Sequence, residues 1–266
     1  MGTLISITLY AHSPYQAQQA FHAAFARIAE LNRILSDYDP QSELSRVCHL
    51  DAPLSPDLLR VLQYAQQVAA ESAGAFDITA GPLSRLWRAA RREKRLPSPA
   101  DLEEARSRTG YRKLEIKNGR ARCAVAGMQL DAGGIGKGYA ADQALVAMKQ
   151  AGVTRALVAV SGDIAAGDAP PGKSGWKVKI PSQTVDLHNA AVSTSGDEFQ
   201  FLEVDGVRYS HLFNPRTGMA LKDSRTVTVM ANTGMEADAL TKVVAVAGEL
   251  AIDRVSTTRS VRIFVR

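Results

Sequence analysis

The chain predicts an α+β fold, and three observations carry that prediction. Two Ser-Pro starts lead into apolar residues at helical spacing. Short alternating segments are punctuated by Asn-Gly and Asp-Gly, the dipeptides of tight hairpins. No repeat or low-complexity tract interrupts the 266 residues. Helices mixed with a mainly antiparallel sheet are expected, in a single domain over residues 1–266 or in two closely merged lobes.

The elements follow in order. The opening MGTLISITLY alternates like a strand and lacks the basic start and apolar centre of a signal peptide. Ser13-Pro14 reads as an N-cap with proline in the first turn, and Phe21, Phe25, Ile28, Leu31 and Leu35 then mark one helix face. Ser55-Pro56 starts a second helix with Leu58, Val61, Leu62, Ala65, Val68 and Ala69 on its core face. Residues 113–125 read as a hairpin about Asn118-Gly119, a type I′ signal. Residues 139–152 continue a glycine-rich turn as a helix that ends at Gly152, where a left-handed cap costs little. A buried strand at 156–160, a Pro/Gly loop at 167–175 and a strand at 176–180 come next. Strands at 199–204 and 207–210 flank Asp205-Gly206, a helix spans 235–247, and a strand at 260–265 closes the chain.

Composition bounds the function. With 45% hydrophobic and 22% charged residues the chain is ordinary for a globular protein that buries a large core. No apolar run is long enough to span a membrane as a helix. Cys48 and Cys123 have neither metal-ligand spacing nor a disulfide framework pattern, so both are expected to be simply packed or partly exposed. The net charge of +5 is concentrated at Arg85, Arg88, Arg91, Arg92, Lys94 and Arg95. Only Trp87 interrupts that stretch with an aromatic ring, and no nucleic-acid motif accompanies it, so it reads as a solvated helix face rather than a nucleic-acid site.

Residues 130–142, LDAGGIGKGYAAD, are the strongest functional signal. Glycines let backbone N–H groups approach phosphates, a helix start favours negative charge, and Lys137 adds a cation. A Walker A loop is excluded because Asp131 and Gly138 stand where it needs glycine and Ser or Thr. The glycines at 133, 134, 136 and 138 also miss the Rossmann spacing. A turn that merely packs tightly remains the alternative.

Further segments decide between them: GAFDITAGPL at 74–83, LVAVSGDI at 157–164, VSTSGD at 192–197, YSHLFNPRTG at 209–218 and ADAL at 237–240. Taken in order with the glycine turn, they resemble the ApbE family, the FAD:protein FMN transferases, over nearly the whole chain. The resemblance implies a T-fold-like core and a periplasmic or cell-envelope location. It also implies a reaction in which a Thr or Ser hydroxyl of an acceptor flavoprotein takes FMN from FAD with release of AMP.

By the same resemblance Met1, Tyr38, Ala75, Phe76, Asp77, Asp131, Lys137 and Leu212 contact FAD, with Lys137 on the diphosphate and Pro82 ending the turn after Asp77. Three of them have a plainer reading beside this one: Asp131 as a cap of its own turn, Phe76 as core, Tyr38 as an anchor of its loop. His211 suits general acid or base work because an imidazole titrates near neutrality, though a lone histidine is also commonly structural. The turn at 214–218 would offer Arg216 to a phosphate. Mg²⁺ would be held by Asp238, Thr241 and the Gly134 carbonyl. Here the chain departs from the family, because Lys242 stands where relatives place a threonine ligand and an ammonium cannot bind a cation. Four residues from Asp238 on a helix, Lys242 could instead form a salt bridge that blocks the metal or supplies a fixed positive charge. FAD pyrophosphatase activity and FAD binding without catalysis are the alternatives to transfer.

Overall fold

Strand β1 (Ile5–Leu9) turns Ile5, Ile7 and Leu9 toward the first helical layer, as its alternation predicts. The structure is a computed structural model and describes residues 3–50, 52–196, 200–222, 225–248, 251–252 and 259–266. Helix α1 (Pro14–Leu35) starts as expected, the Ser13 hydroxyl accepting the Gln16 N–H at 3.2 Å. Its core face corrects the expected one. Ala20, Ala24, Ile28, Leu31 and Leu35 are buried, whereas Phe25 is 46% exposed. The alanines let α1 lie close against a later helix that also presents Ala141 and Ala144, and a phenylalanine there would hold the two apart.

Helix α2 (Glu43–Arg46) is a single turn capped by Ser42, and α3 (Pro56–Glu71) is capped by Ser55. All six residues predicted for the core face of α3 are buried, Leu58, Val61 and Leu62 completely. Burying each of those three stabilises the fold by about 1.5–3 kcal/mol. Pro82 opens a helix rather than ending a turn: it occupies the first turn of α4 (Gly81–Glu93), where its missing N–H has no partner to lose. After α5 (Pro99–Ser107), β2 (Leu114–Lys117) and β3 (Arg120–Cys123) pair across Asn118 and Gly119, both at positive φ as a type I′ turn requires.

The cysteines need correction too. Cys48 and Cys123 form a disulfide, their Cα atoms 5.2 Å apart although 75 residues separate them in sequence. The chain following α2 meets the end of β3 only in the folded state, so spacing alone does not reveal the pair.

Helix α6 (Gly136–Gln150) begins within the glycine turn, earlier than predicted, and Gly152 takes the left-handed conformation expected after it. The remaining elements are β4 (Ala156–Val160), β5 (Asp163–Ala166), β6 (Trp176–Lys179), β7 (Thr184–Leu187), β8 (Ala190–Ser195), β9 (Phe201–Val204), β10 (Val207–Ser210), β11 (Val227–Ala231), α7 (Gly234–Ala247) and β12 (Arg262–Val265). Among the described residues the main sheet has six strands in the order β1-β4-β5-β8-β11-β12, every neighbouring pair antiparallel. The chain is therefore α+β, as predicted. No helix among the described residues is long and apolar enough to cross a membrane.

Alternation along the strands sorts residues between two layers. Ala156, Val158 and Val160 of β4 face α1 and α6, while Leu157, with Ile164, Val192 and Met230, faces the β6–β7 hairpin and Trp176. On the helical side α6 crosses α7 at two glycines. A methyl built on Gly138 would overlap the Gly234 carbonyl, so this crossing exists only because Gly138 carries no side chain. Asp142 then caps α7, accepting the Gly234 and Met235 N–H groups at 2.6 and 2.9 Å. This contact between α6 and α7 sets the glycine turn beside Asp238 and Lys242.

Candidate active site

The glycine turn, the β4–β5 turn, the end of β8, one face of α4 and the loop after β10 surround a cleft of about 690 Å³. That lies within the roughly 300–1,000 Å³ usual for small-molecule sites. Two turns bring chemistry to its floor. Ser161, at a φ of 59°, and Gly162 reverse the chain between β4 and β5 and set Asp163 at the start of β5. Lys137 enters from the first turn of α6.

Four charges interlock there. The Lys137 ammonium lies 3.0 Å from Asp163 Oδ2 and 3.6 Å from Asp238 Oδ2, and it donates to the Gly133 carbonyl at 2.9 Å. Lys242 bonds Asp238 Oδ1, so the salt bridge that the Asp238-to-Lys242 spacing allows is present. Asp238 Oδ2 also accepts the Gly138 N–H at 3.1 Å, and Asp163 Oδ1 accepts the Ser193 hydroxyl. Burial by itself would raise the Asp238 carboxyl, but Lys137 and Lys242 outweigh it and hold the group below the usual carboxylate range. Asp163 is pushed up, first by burial and then by the Asp238 charge.

At the rim Arg88 joins Asp37 and Asp131, lying 3.0 Å from Asp131 Oδ2, and its guanidinium stands 4.4 Å from the centre of the Tyr38 ring. Arg91, on the same helix, also lines the cleft. The basic helix is thus not simply a solvated face: two of its arginines serve the cleft, and Trp87 is buried with its indole N–H on the Gly218 carbonyl at 2.8 Å.

His211 lines the same cleft. Its Nδ1 lies 3.2 Å from the Gln200 carbonyl, an atom that can only accept, so Nδ1 carries the proton and Nε2 keeps its lone pair. Burial, followed by the charge of Lys242, pushes its pKa down to about 4. The imidazole is therefore a neutral acceptor at pH 7, not the group titrating near neutrality that the sequence suggests.

A family model described as the ApbE family matches residues 1–264. This chain belongs to the ApbE family. It is 30% identical over 258 residues to the FAD:protein FMN transferase of Salmonella typhimurium (strain LT2), covering 90% of this chain and 74% of that protein. The FAD:protein FMN transferase of Treponema pallidum is 31% identical over 270 residues, covering 90% and 75%. The apo crystal structure of Pseudomonas stutzeri flavinyl transferase ApbE superposes with a TM-score of 0.86 at 30% identity, covering 100% of this chain and 88% of that one.

Within this ApbE-family fold the residues expected to contact FAD mostly converge. Tyr38, Ala75, Phe76 and Asp77 line one side of the cleft, and Asp131, Lys137 and Leu212 line others. Asp131 caps its own turn, accepting the Gly133 N–H at 2.7 Å, and also lines the cleft. Phe76 is at once core and cleft wall. Tyr38 is 75% exposed and lies beneath Arg88. Asp77 spends Oδ1 on Thr79 and Oδ2 on the Tyr111 N–H at 2.8 Å, holding its own loop. The Leu212 N–H and carbonyl are bonded to Ser210 and Leu221. Arg216 hydrogen-bonds Asn214 and is absent from the cleft lining, although Pro215 reaches it. Met1 lies outside the described residues.

The residues expected to hold Mg²⁺ do not fit it in this arrangement. Mg²⁺ requires free oxygens in an octahedron at about 2.0–2.1 Å. Both Asp238 oxygens already accept, Oδ1 from Lys242 and Oδ2 from the Gly138 N–H, and the Lys137 ammonium lies 3.6 Å from Oδ2. The Thr241 hydroxyl is fully buried, 2.8 Å from Ser195 Oγ, and donates to the Asp238 carbonyl at 2.8 Å. Gly134 lines the cleft, but a Cβ built on it would meet the side chains of Phe76 and Lys242, so a lysine stem already runs beside it.

Sequence reasoning does not single out Asp163, Arg88 and Arg91 as site residues. Asp163 carries a readable signal, an acid at the turn between two apolar strands. The arginines carry none, because the partners of Arg88, Asp37 and Asp131, are 51 and 43 residues away from it.

Proposed function

We propose that this chain is an FAD:protein FMN transferase that esterifies FMN to a Thr or Ser hydroxyl of an acceptor flavoprotein. The observation carrying this reading is the convergence of cationic Lys137 and Lys242 with neutral His211 on one cleft, in a chain of the ApbE family. FAD is a diphosphate, and a cation-lined floor with an imidazole acceptor suits transfer at phosphorus.

The acceptor oxygen attacks the phosphorus on the FMN side, and the bond from that phosphorus to the bridging oxygen breaks. AMP leaves with the bonding electron pair. His211 Nε2 takes the hydroxyl proton, for which its lone pair is free. Negative charge gathering beside it at the reacting phosphate favours the imidazolium so formed. Lys137 favours the ionised forms of Asp163 and Asp238 and adds its charge to the floor. Tyr38, exposed and steadied by Arg88 over one face, offers its ring to the flavin or adenine, and Phe76 supplies apolar wall.

AMP release from FAD, followed with and without an acceptor peptide bearing a Thr or Ser, tests this directly. Acceptor-dependent AMP with covalently flavinylated peptide is expected. AMP formed equally without acceptor would make the chain an FAD pyrophosphatase, and bound FAD with no AMP would leave only binding.

A further inference from the structure

Lys137 and Lys242 both reach the cleft, but they are not equivalent. An ammonium has three N–H donors. Lys137 sits within 2.9 Å of the Gly133 carbonyl and 3.0 Å of Asp163, and Asp238 lies at ion-pair distance, 3.6 Å, on its third side. Among the described residues Lys242 has one such acceptor, Asp238 Oδ1, which leaves two donors for a ligand. Its side chain is 17% exposed against 0% for Asp238, so the ammonium lies between the buried carboxylate and the cleft.

The path of the side chain is equally specific. A Cβ built on Gly134 would stand 3.4 Å from Lys242 Cγ and 3.6 Å from its Cε, and 3.2 Å from Phe76 Cε2. The lysine stem therefore runs past Gly134 to reach Asp238. It threads between two residues expected to hold a divalent cation, and its nitrogen occupies the carboxylate oxygen such an ion would need.

We infer that Lys242 is a built-in cation: its ammonium, fixed by Asp238, binds the diphosphate of the substrate in place of a divalent metal ion. The inference rests on the proposed use of FAD. Asp163 and Asp238 hold Lys137 and Lys242 in place, and an entering diphosphate meets a donor that is already oriented. A fixed ammonium needs no metal to be recruited at each turnover, and it makes this chain's nucleotide binding independent of divalent-ion supply.

Two measurements test it. FAD or ADP binding to the purified chain is followed by flavin fluorescence or calorimetry in EDTA and in Mg²⁺. Uptake of Mn²⁺ is followed separately by loss of the free-ion electron paramagnetic resonance signal. The intact chain is expected to bind FAD equally in both buffers and to leave the Mn²⁺ signal unchanged. Lys242→Thr is expected to weaken FAD binding in EDTA by about tenfold, the scale of one charge-assisted contact, and to regain it with Mg²⁺ while taking up Mn²⁺. Lys242→Met should lose affinity in both buffers.

Stoichiometric Mn²⁺ uptake by the intact chain overturns the inference, as does FAD binding that requires Mg²⁺. Unchanged affinity in folded Lys242→Thr and Lys242→Met overturns it too. Should FAD not bind the intact chain under any condition, the proposed function fails, but the Mn²⁺ arm still decides the point. Uptake by Lys242→Thr alone then supports a lysine in the cation position, and uptake by the intact chain refutes it.

Discussion

Lys242 and Asp238 stand one turn apart on α7, and the lysine ammonium is bonded to Asp238 Oδ1 while Gly138 and Lys137 share Oδ2. Asp238 is completely buried, so its charge exists only because these donors surround it. Asp238→Asn removes the counter-charge of two lysines and places an amide N–H₂ against one of them. Breaking a buried pair in this way costs about 3–5 kcal/mol, and the low end is expected because both ammonium groups can turn toward the cleft. The check is a lower urea midpoint with unchanged slope, accompanied by loss of AMP release.

His211 gives the pH dependence its sign. The folded imidazole titrates at about 4 against an ordinary 6.5, so between those values the unfolded chain binds more protons. Its contribution to stability is complete above about pH 6.5 and is lost as pH falls toward 4. Asp142, raised to about 6, acts with the opposite sign in the same range, so the His211 part is read as a difference: the gap between the urea midpoints of the intact chain and His211→Asn should shift against the intact chain as pH falls from 6.5 toward 4. In the transfer reaction His211→Ala is expected to lower kcat by about 10²- to 10⁴-fold, with a smaller change in KM for FAD.

Arg88 couples three rim groups. Its loss leaves Asp37 and Asp131 facing each other without a cation and frees Tyr38 from the guanidinium above it. Burial and the nearby Asp131 charge already raise the Asp37 carboxyl. Arg88→Ala should raise KM for FAD about tenfold with little effect on kcat, and Arg88→Lys should restore little of it, because an ammonium cannot span both carboxylates and the ring. Steady-state kinetics on the two variants measure both expectations.

The Cys48–Cys123 bridge closes a long loop, and neither cysteine lines the cleft. Reduction, or Cys48→Ser, should lower stability by about 2–4 kcal/mol while FAD binding under native conditions is preserved. Melting curves with and without reductant, paired with a binding titration, separate the two effects.

Gly138 tests the helix crossing on which the site depends. Gly138→Ala drives a methyl into the Gly234 carbonyl, and the nearest side-chain atom, Asp238 Cβ, would be 2.9 Å away. Overpacking of this kind costs about 1–3 kcal/mol. Because the displaced atoms belong to α7, Lys242 should shift with them, and FAD affinity should fall together with the melting temperature.

The sequence by itself determined the local chemistry. Ser13, Ser55 and the Asn118-Gly119 turn act as their residue types dictate, because a cap or a tight turn involves atoms only a few residues apart. The core face of α3 is equally plain, since periodicity alone determines which side is apolar. Ordered motifs identify the family, and the spacing of Asp238 and Lys242 allows the salt bridge that exists. Tertiary structure decided whatever depends on distant partners: the alanine face that α1 turns to α6, the disulfide across 75 residues, and the meeting of Arg88 on α4 with Asp37 and Asp131. It decided the state of the charges as well. Burial and the Lys242 charge hold His211 neutral well below neutral pH, and Lys137 and Lys242 keep Asp238 an anion against the burial that opposes its charge; both conditions arise only when the chain packs.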